Sequence, residues 1–263
     1  VKHLTLCADD FAQSAPISQA ILELLERGRL SATSVMTQSP LWPGFAGQLE
    51  AFAGTSDIGL HLNLTHPFDD HARPLSYWLL RSQARCLPRA QIRDQLLRQI
   101  DLFTEHFQRL PDFIDGHQHV HAFPVIRDAL FEAIGMRWQF VPPSYIRAPD
   151  LLAEAGDSWL KSSILKGVCH GFSRQLQVQA LVHPRWFAGL YSLSPLADYP
   201  KLMQRWLKAA PHGGLIMCHP GITLENAGDP IGPSRLLEYC YLLSDEFAED
   251  CTQYNVELKP FSN

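Results

Sequence analysis

The sequence predicts an α/β fold: an irregular (β/α) barrel of about seven parallel strands, short of a full eight, with helices packed outside. Three observations carry this. β-prone runs alternate with amphipathic helical patterns along all 263 residues. No GxGxxG or Walker motif follows the first strand-like run, which argues against an open nucleotide-binding sheet. Carboxylates and imidazoles fall at the C-terminal ends of several runs, where parallel barrels gather their chemistry.

Taken in order, HLTLCA (3–8) reads as a strand and runs straight into Asp9 and Asp10. Residues 16–30 read as a helix, with Ile17, Ile21, Leu24 and Leu25 at helical spacing, Pro16 in its first turn and Gly28 at its end. SATSVMT (31–37) is β-branched and strand-like; a Pro/Trp/Gly break at 40–44 leads into a short helix ending near Ala53. DIGLHLNL (57–64) is the next strand. The stretch 65–88 reads as a long loop, of a length that elsewhere serves as a lid or substrate wall. A helix over 89–108 places Ile92, Leu96, Leu97, Ile100 and Phe103 on one face. DFIDGHQHVH (112–121) reads as a strand with a polar end, followed by a helix over 124–135. The region 139–185 gives no clear pattern beyond a Pro-rich bend at 142–149. WFAGLY (186–191), GLIMCHP (214–220) and VELKPF (256–261) complete the strands, with helices over 198–209 and 234–254.

The composition narrows the function classes. Net charge is −5 with histidines neutral, and Lys and Arg are scattered, which argues against a nucleic-acid binder. The six cysteines show no CxxC and no disulfide framework, so free thiols in a reducing, cytoplasmic setting are expected. Apolar runs fall far short of the ~20 residues a membrane span needs, and no secretory signal is expected at the start. A homodimer would be the commonest assembly. The whole chain, 1–263, reads as one domain.

Asp9 and Asp10 close the first strand; two adjacent carboxylates at the mouth of a core repel and demand a positive partner. His61 and Asn63 lie near the end of the third strand. Asp115, His117, His119 and His121 follow at spacing two, and His219 closes a late strand in MCHPG. A carboxylate and two imidazoles from different strands can bind a divalent cation with positions left open, and the other Asp is then free to act as a base. Spacing leaves open which of His117, His119 and His121 is a ligand. In a regular strand all three face one way; if the strand ends near Gly116 they diverge. Trp42, Trp78, Trp138, Trp159, Trp186 and Tyr191 are available as flat stacking faces for a ligand, although barrel tryptophans mostly pack between helix and sheet. Arg147 and Arg185 could reach a charged ligand, but a surface role is the stronger expectation.

The blocks ADDFAQS, VMTQSP, IGLHLNLT, IDGHQHVHAFP and MCHPG, in this order from the first strand to Gly221, resemble the YdjC/ChbG/HpnK family of carbohydrate deacetylases. The resemblance implies a distorted, TIM-like (β/α) barrel. It also implies one divalent metal ion, Mg or Zn, and hydrolysis of the N-acetyl group of an acetylated amino sugar in a chitooligosaccharide- or glycolipid-type substrate. Carried over by position, Asp10, His61 and His117 would be the metal ligands and Asp9 the catalytic base. His219 would be the general acid or a transition-state stabiliser, and His119, His121 and Asn63 would lie toward the substrate. The sequence departs from the family where Ala12 replaces a Gly after ADDF, where Ser18 replaces an Asn, and where HPFDDH replaces a Gly-containing turn. Two other readings compete: a metal-dependent phosphoesterase, which would favour two ions and nearby Lys or Arg, and a catalytically inactive sugar-binding barrel.

Overall fold

A computed structural model describes residues 1–153, 156–222 and 229–262. Its eight strands are β1 Lys2–Phe11, β2 Ala32–Val35, β3 Asp57–Leu62, β4 Phe113–Gly116, β5 Tyr145–Ile146, β6 Phe187–Ala188, β7 Gly214–Cys218 and β8 Val256–Leu258. All pair parallel, in the order β5-β4-β3-β2-β1-β7-β6, with β8 on β1. Leu4 lies opposite both Gly214 and Leu258, and Cys7 opposite both Met217 and Ala32, so β8 and β2 share one edge of β1. Among the described residues the barrel does not close by a ladder. β6 instead meets the segment after β5 at a single bridge, Leu152 to Phe187, where the Ala153 N–H donates to Phe187 O at 2.9 Å.

Helices flank this sheet: α1 Ala15–Glu26, α2 Trp42–Leu49, α3 Leu75–Gln83, α4 Arg89–Phe107, α5 Ile126–Arg137, α6 Trp159–Val168, α7 Phe172–Val178, α8 Tyr199–Ala209, α9 Gly232–Leu243 and α10 Asp245–Gln253. The central strands are covered on both faces, which is why β1 is buried continuously from Leu4 to Phe11 rather than in alternation. The stripe Ile17, Ile21, Leu24 and Leu25 buries α1 against it, and Gly28, at φ +63°, turns the chain after the helix.

The structure corrects several sequence expectations. The stretch 65–88 is not one loop: α3 occupies its middle, burying Trp78, whose indole N–H donates to Leu64 O at 2.8 Å. The run 112–121 is not one strand; it stops at Gly116 and winds into a short 3₁₀ segment, His117–Ala122, with Gln118 and His119 left-handed. The helix over 234–254 is two helices, split at Ser244, whose hydroxyl accepts the Phe247 N–H and caps α10. The unassigned 139–185 holds β5, α6 and α7.

Gly59 in β3 faces the Phe113 ring, and a Cβ there would sit 2.5 Å from it. Phe113 is itself fixed by stacking on Tyr145, centroids 4.5 Å apart. Gly59→Ala should therefore lower the unfolding free energy by about 1–3 kcal/mol through overpacking, as read from urea denaturation midpoints.

Candidate metal centre and active site

A cavity of about 690 Å³ opens at the C-terminal ends of the strands, lined by Asp9, Asp10, His61, His117, His119 and His219 among others. A regular strand sends neighbouring residues to opposite faces, yet Asp9 and Asp10 both reach this cavity. The register of β1 explains it. Ala8 pairs with Thr33 and Phe11 with Val35, so β1 gains one residue over β2 between them, a bulge that carries Asp10 at φ +69°. Ala12 follows at φ +70°, a conformation glycine adopts without strain, and the Ser18 hydroxyl accepts its N–H at 3.0 Å.

Asp10, His61 and His117 converge. Asp10 Oδ1 lies 3.2 Å from His61 Nε2 and 2.9 Å from His117 Nδ1. His61 Nδ1 lies 2.7 Å from Asp115 Oδ1 and 3.0 Å from Ser34 Oγ, so its N–H is engaged on that side and Nε2 is left facing Asp10. A neutral imidazole in that pose would set its lone pair against a carboxylate oxygen. Although burial opposes charge on it, the carboxylates of Asp115 and Asp10 on either side raise the His61 pKa to about 10. The place calls for a cation. One ligand atom from each of Asp10, His61 and His117 falls within 4.8 Å of the others, a donor set that fits a divalent ion with positions left for water and substrate.

Each of the two adjacent carboxylates has its own buried arginine. Arg147 grips Asp9 in a fork, Nη1 to Oδ2 and Nη2 to Oδ1, both at 2.6 Å, and Nη2 is also 2.6 Å from Asp115 Oδ2. Arg235 Nη2 donates to Asp10 Oδ2 at 2.8 Å while its Nε donates to Asp229 Oδ2 at 2.6 Å. Burial alone would raise both carboxyls; Arg147 holds Asp9, and Arg235 with His117 holds Asp10, well below the usual carboxylate range. Cys7, Asp9 and Asp115 also cluster closely enough to suit a metal, but Arg147 lies among them, with Nη2 3.3 Å from Cys7 Sγ, and supplies the positive charge there. Arg147 was expected on the surface; it is fully buried, because its charge has partners only inside.

His219 stands on the other side of Asp9, Nε2 to Oδ2 at 3.9 Å. Glu238 of α9 holds it: Oε2 accepts the His219 backbone N–H at 2.5 Å, and Oε1 lies 3.8 Å from Nδ1, an ion-pair separation. The Tyr191 hydroxyl donates to the same Oε1 at 2.7 Å. Burial pushes the His219 imidazole down, but Glu238, Asp9 and Asp10 together raise it above its ordinary value.

The three histidines of HQHVH diverge after Gly116. His117 joins Asp10. His119 lines the cavity edge-on to Phe187 and is held neutral by burial beside Arg147. His121 turns beneath the site, where its Nε2–H donates to Arg147 O at 2.8 Å, and burial lowers its pKa to about 4. Asn63 also stays out of the cavity: its Oδ1 accepts the N–H groups of Thr65 and His66 and its amide donates to His66 O, so it shapes the loop after β3. Neither His121 nor Asn63 lines the cavity that a substrate would enter.

The profile of the YdjC-like protein family matches residues 3–253. The chain belongs to the YdjC-like family. A curated relative of this YdjC-like chain, the chitooligosaccharide deacetylase of Serratia marcescens, is 34% identical over 134 residues, which is 48% of this chain and 53% of that one. The chain thus spans about half the length of the curated relative it matches. A solved structure of a candidate cellobiose-phosphate cleavage protein from Enterococcus faecalis V583 superposes with a TM-score of 0.72 at 20% identity, covering 99% of this chain and 97% of that one. It shares the irregular barrel fold of this YdjC-like chain.

Proposed function

We propose that the protein is a metal-dependent hydrolase that removes the N-acetyl group from an acetylated amino sugar. The observation that carries this is one cavity in which a carboxylate–imidazole–imidazole donor set shares the space with an arginine-clamped carboxylate and, against that carboxylate, a glutamate-backed imidazole. Membership of the YdjC-like family, and the activity in the name of the Serratia relative, support the same reading.

Asp10, His61 and His117 would hold the ion, zinc or magnesium, and the two imidazoles favour zinc. Bound there, a divalent cation supplies polarisation of the amide carbonyl and acidification of water. Asp9 is the base: Arg147 keeps it ionised and fixes its plane, so it accepts the proton of the water that attacks the carbonyl carbon. His219, protonated, delivers a proton to the nitrogen as the C–N bond breaks, giving acetate and a free amine. His119, neutral and with Nδ1 unpartnered, is placed to contact the sugar. The test is acetate release from a panel of N-acetylated sugars and chitooligosaccharides, with chelator and after return of zinc or magnesium. Release abolished by chelation and restored by one of the metals is expected; a metal-loaded chain that releases no acetate from any of them would overturn the reading.

The pH profile gives a sharper check. His219 works as an acid only while protonated, so activity falls as pH rises through its pKa, which Glu238 lifts. Glu238→Gln removes the largest part of that lift and leaves burial opposed only by Asp9 and Asp10. The alkaline limb of kcat/KM should then move to lower pH, whereas a purely structural loss would scale the whole profile without moving the limb.

A further inference from the structure

We infer that Arg235 and Asp229 set the affinity of the cation site in opposite directions, Arg235 lowering it and Asp229 raising it; this rests on the metal-dependent reading above. Neither belongs to the donor set of Asp10, His61 and His117. Arg235 nevertheless engages the one carboxylate in that set. Its Nη2 donates to Asp10 Oδ2 at 2.8 Å, while Oδ1 lies 3.2 Å from His61 Nε2 and 2.9 Å from His117 Nδ1. One oxygen is committed to a guanidinium and the other is left for an ion. Arg147 treats the neighbouring carboxylate differently, taking both oxygens of Asp9. The same residue type thus withdraws Asp9 from ligation and leaves Asp10 a single ligating oxygen.

Arg235 is anchored on several sides. It is 2% exposed, and its Nε donates to Asp229 Oδ2 at 2.6 Å. Asp229 is fixed in turn, because its Oδ1 accepts the Ile231 N–H at 3.1 Å immediately before α9. The Arg235 carbonyl accepts the Gly221 N–H at 3.1 Å, and a Cβ at Gly221 would sit 3.2 Å from Arg235 Cβ and Cδ, so the segment after His219 packs on the stem of the side chain. Both Arg235 and Asp229 line the same cavity as Asp10. A guanidinium held this way stays next to Asp10 when a dication arrives, and in a buried site the two positive charges repel. It also neutralises Asp10 beforehand, which reduces what the carboxylate gains from an ion. Asp229 acts the other way: it draws the guanidinium's charge off Asp10 and adds a negative charge to the cavity wall. A purely mechanical brace would behave differently, since loss of either residue would free Asp10 and weaken the site.

The test titrates zinc into the full chain, first stripped with chelator, in competition with a chromophoric chelator of known affinity. Arg235→Met should bind zinc at least about tenfold more tightly than the wild type, because Asp10 and Asp229 are then left buried without a cation. Arg235→Gln should change in the same direction, and it keeps a donor for Asp10 should the methionine variant not fold. Arg235→Lys keeps the charge and should stay within about threefold of the wild type. Asp229→Asn should weaken binding by about tenfold, with the guanidinium's charge falling on Asp10 alone. Neutral variants at Arg235 that bind zinc no more tightly than the wild type, or an Asp229→Asn chain that binds it as tightly, would overturn the proposal. So would a lysine variant that tightens as much as the methionine one. Wild type and variants that all fail to bind zinc would remove the cation site and the inference with it. Tighter binding in the neutral variants, with no acetate released from N-acetylated sugars by the zinc-loaded wild type, would sink the deacetylase reading and leave the control of the ion standing.

Discussion

Arg147→Met should abolish most of the activity and cost about 3–5 kcal/mol of stability, the range for removing one partner from a buried ion pair. The guanidinium is fully buried, binds both oxygens of Asp9 and one of Asp115, and sits over the Phe187 ring at 5.6 Å. Methionine fills much of the space and supplies none of the charge. Two carboxylates would then share a dry site with no fixed cation. The cheapest relief is for Asp9 to take up a proton, which removes the proposed base. The damage also reaches the proposed metal ligands, because Asp115 orients His61 through the 2.7 Å contact to Nδ1. Arg147→Lys separates charge from geometry. It restores a cation without the fork, so it should recover part of the stability while kcat/KM stays low. Urea denaturation and steady-state kinetics read the two effects. A folded Arg147→Met protein with wild-type kcat/KM would show that Asp9 needs no clamp.

The sequence exposed the parts of the site that lie along the chain and hid those that lie across it. The chain pauses at Asp9, His61, His117 and His219 because each sits where a parallel strand ends, and strand ends can be read from local pattern. The bulge at Asp10 could not be read, since nothing in ADDF says that the strand gains a residue over its neighbour. The HQHVH run misled for a related reason. A spacing of two is the strand period, yet His117 is followed by two left-handed residues, Gln118 and His119, that no alternation signals, and the His121 ring packs so close to Gly116 that a Cβ there would sit 2.8 Å from Nδ1. Arg147 carried one usable signal, its place directly after the apolar pair Tyr145–Ile146, but β5 has only those two residues and does not stand out as a strand. Arg235 and Glu238 carried none. They lie on a helix, are buried on its inward face, and acquire meaning only because α9 packs behind the ends of β1 and β7. The missed α3 shows the same limit, since its burial rests on Trp78 and Ser82 rather than on a full apolar stripe.

Asp9→Asn should keep the metal and lose about 10²- to 10⁴-fold in kcat, the usual worth of a positioned general base. The amide is nearly the same size and its oxygen can still accept one of the two Arg147 bonds, while its NH2 faces the other donor and Asp115 keeps its ion pair with the guanidinium, so the metal ligands should keep their places. What it cannot do is take a proton. His61→Ala and His117→Ala make the contrast: each removes a donor from the proposed cation site, so bound metal and activity should fall together. Measuring metal content beside kcat in all three variants separates the roles. Asp9 stands next to Asp10 in the chain and shares its cavity, so proximity alone would predict one phenotype for both. The two arginines predict two, because Arg147 commits Asp9 to a single fork while Arg235 takes only Oδ2 of Asp10 and leaves Oδ1 facing the histidines. An Asp9→Asn protein that lost its metal would make Asp9 a ligand, and an active one would move the base elsewhere in the cavity.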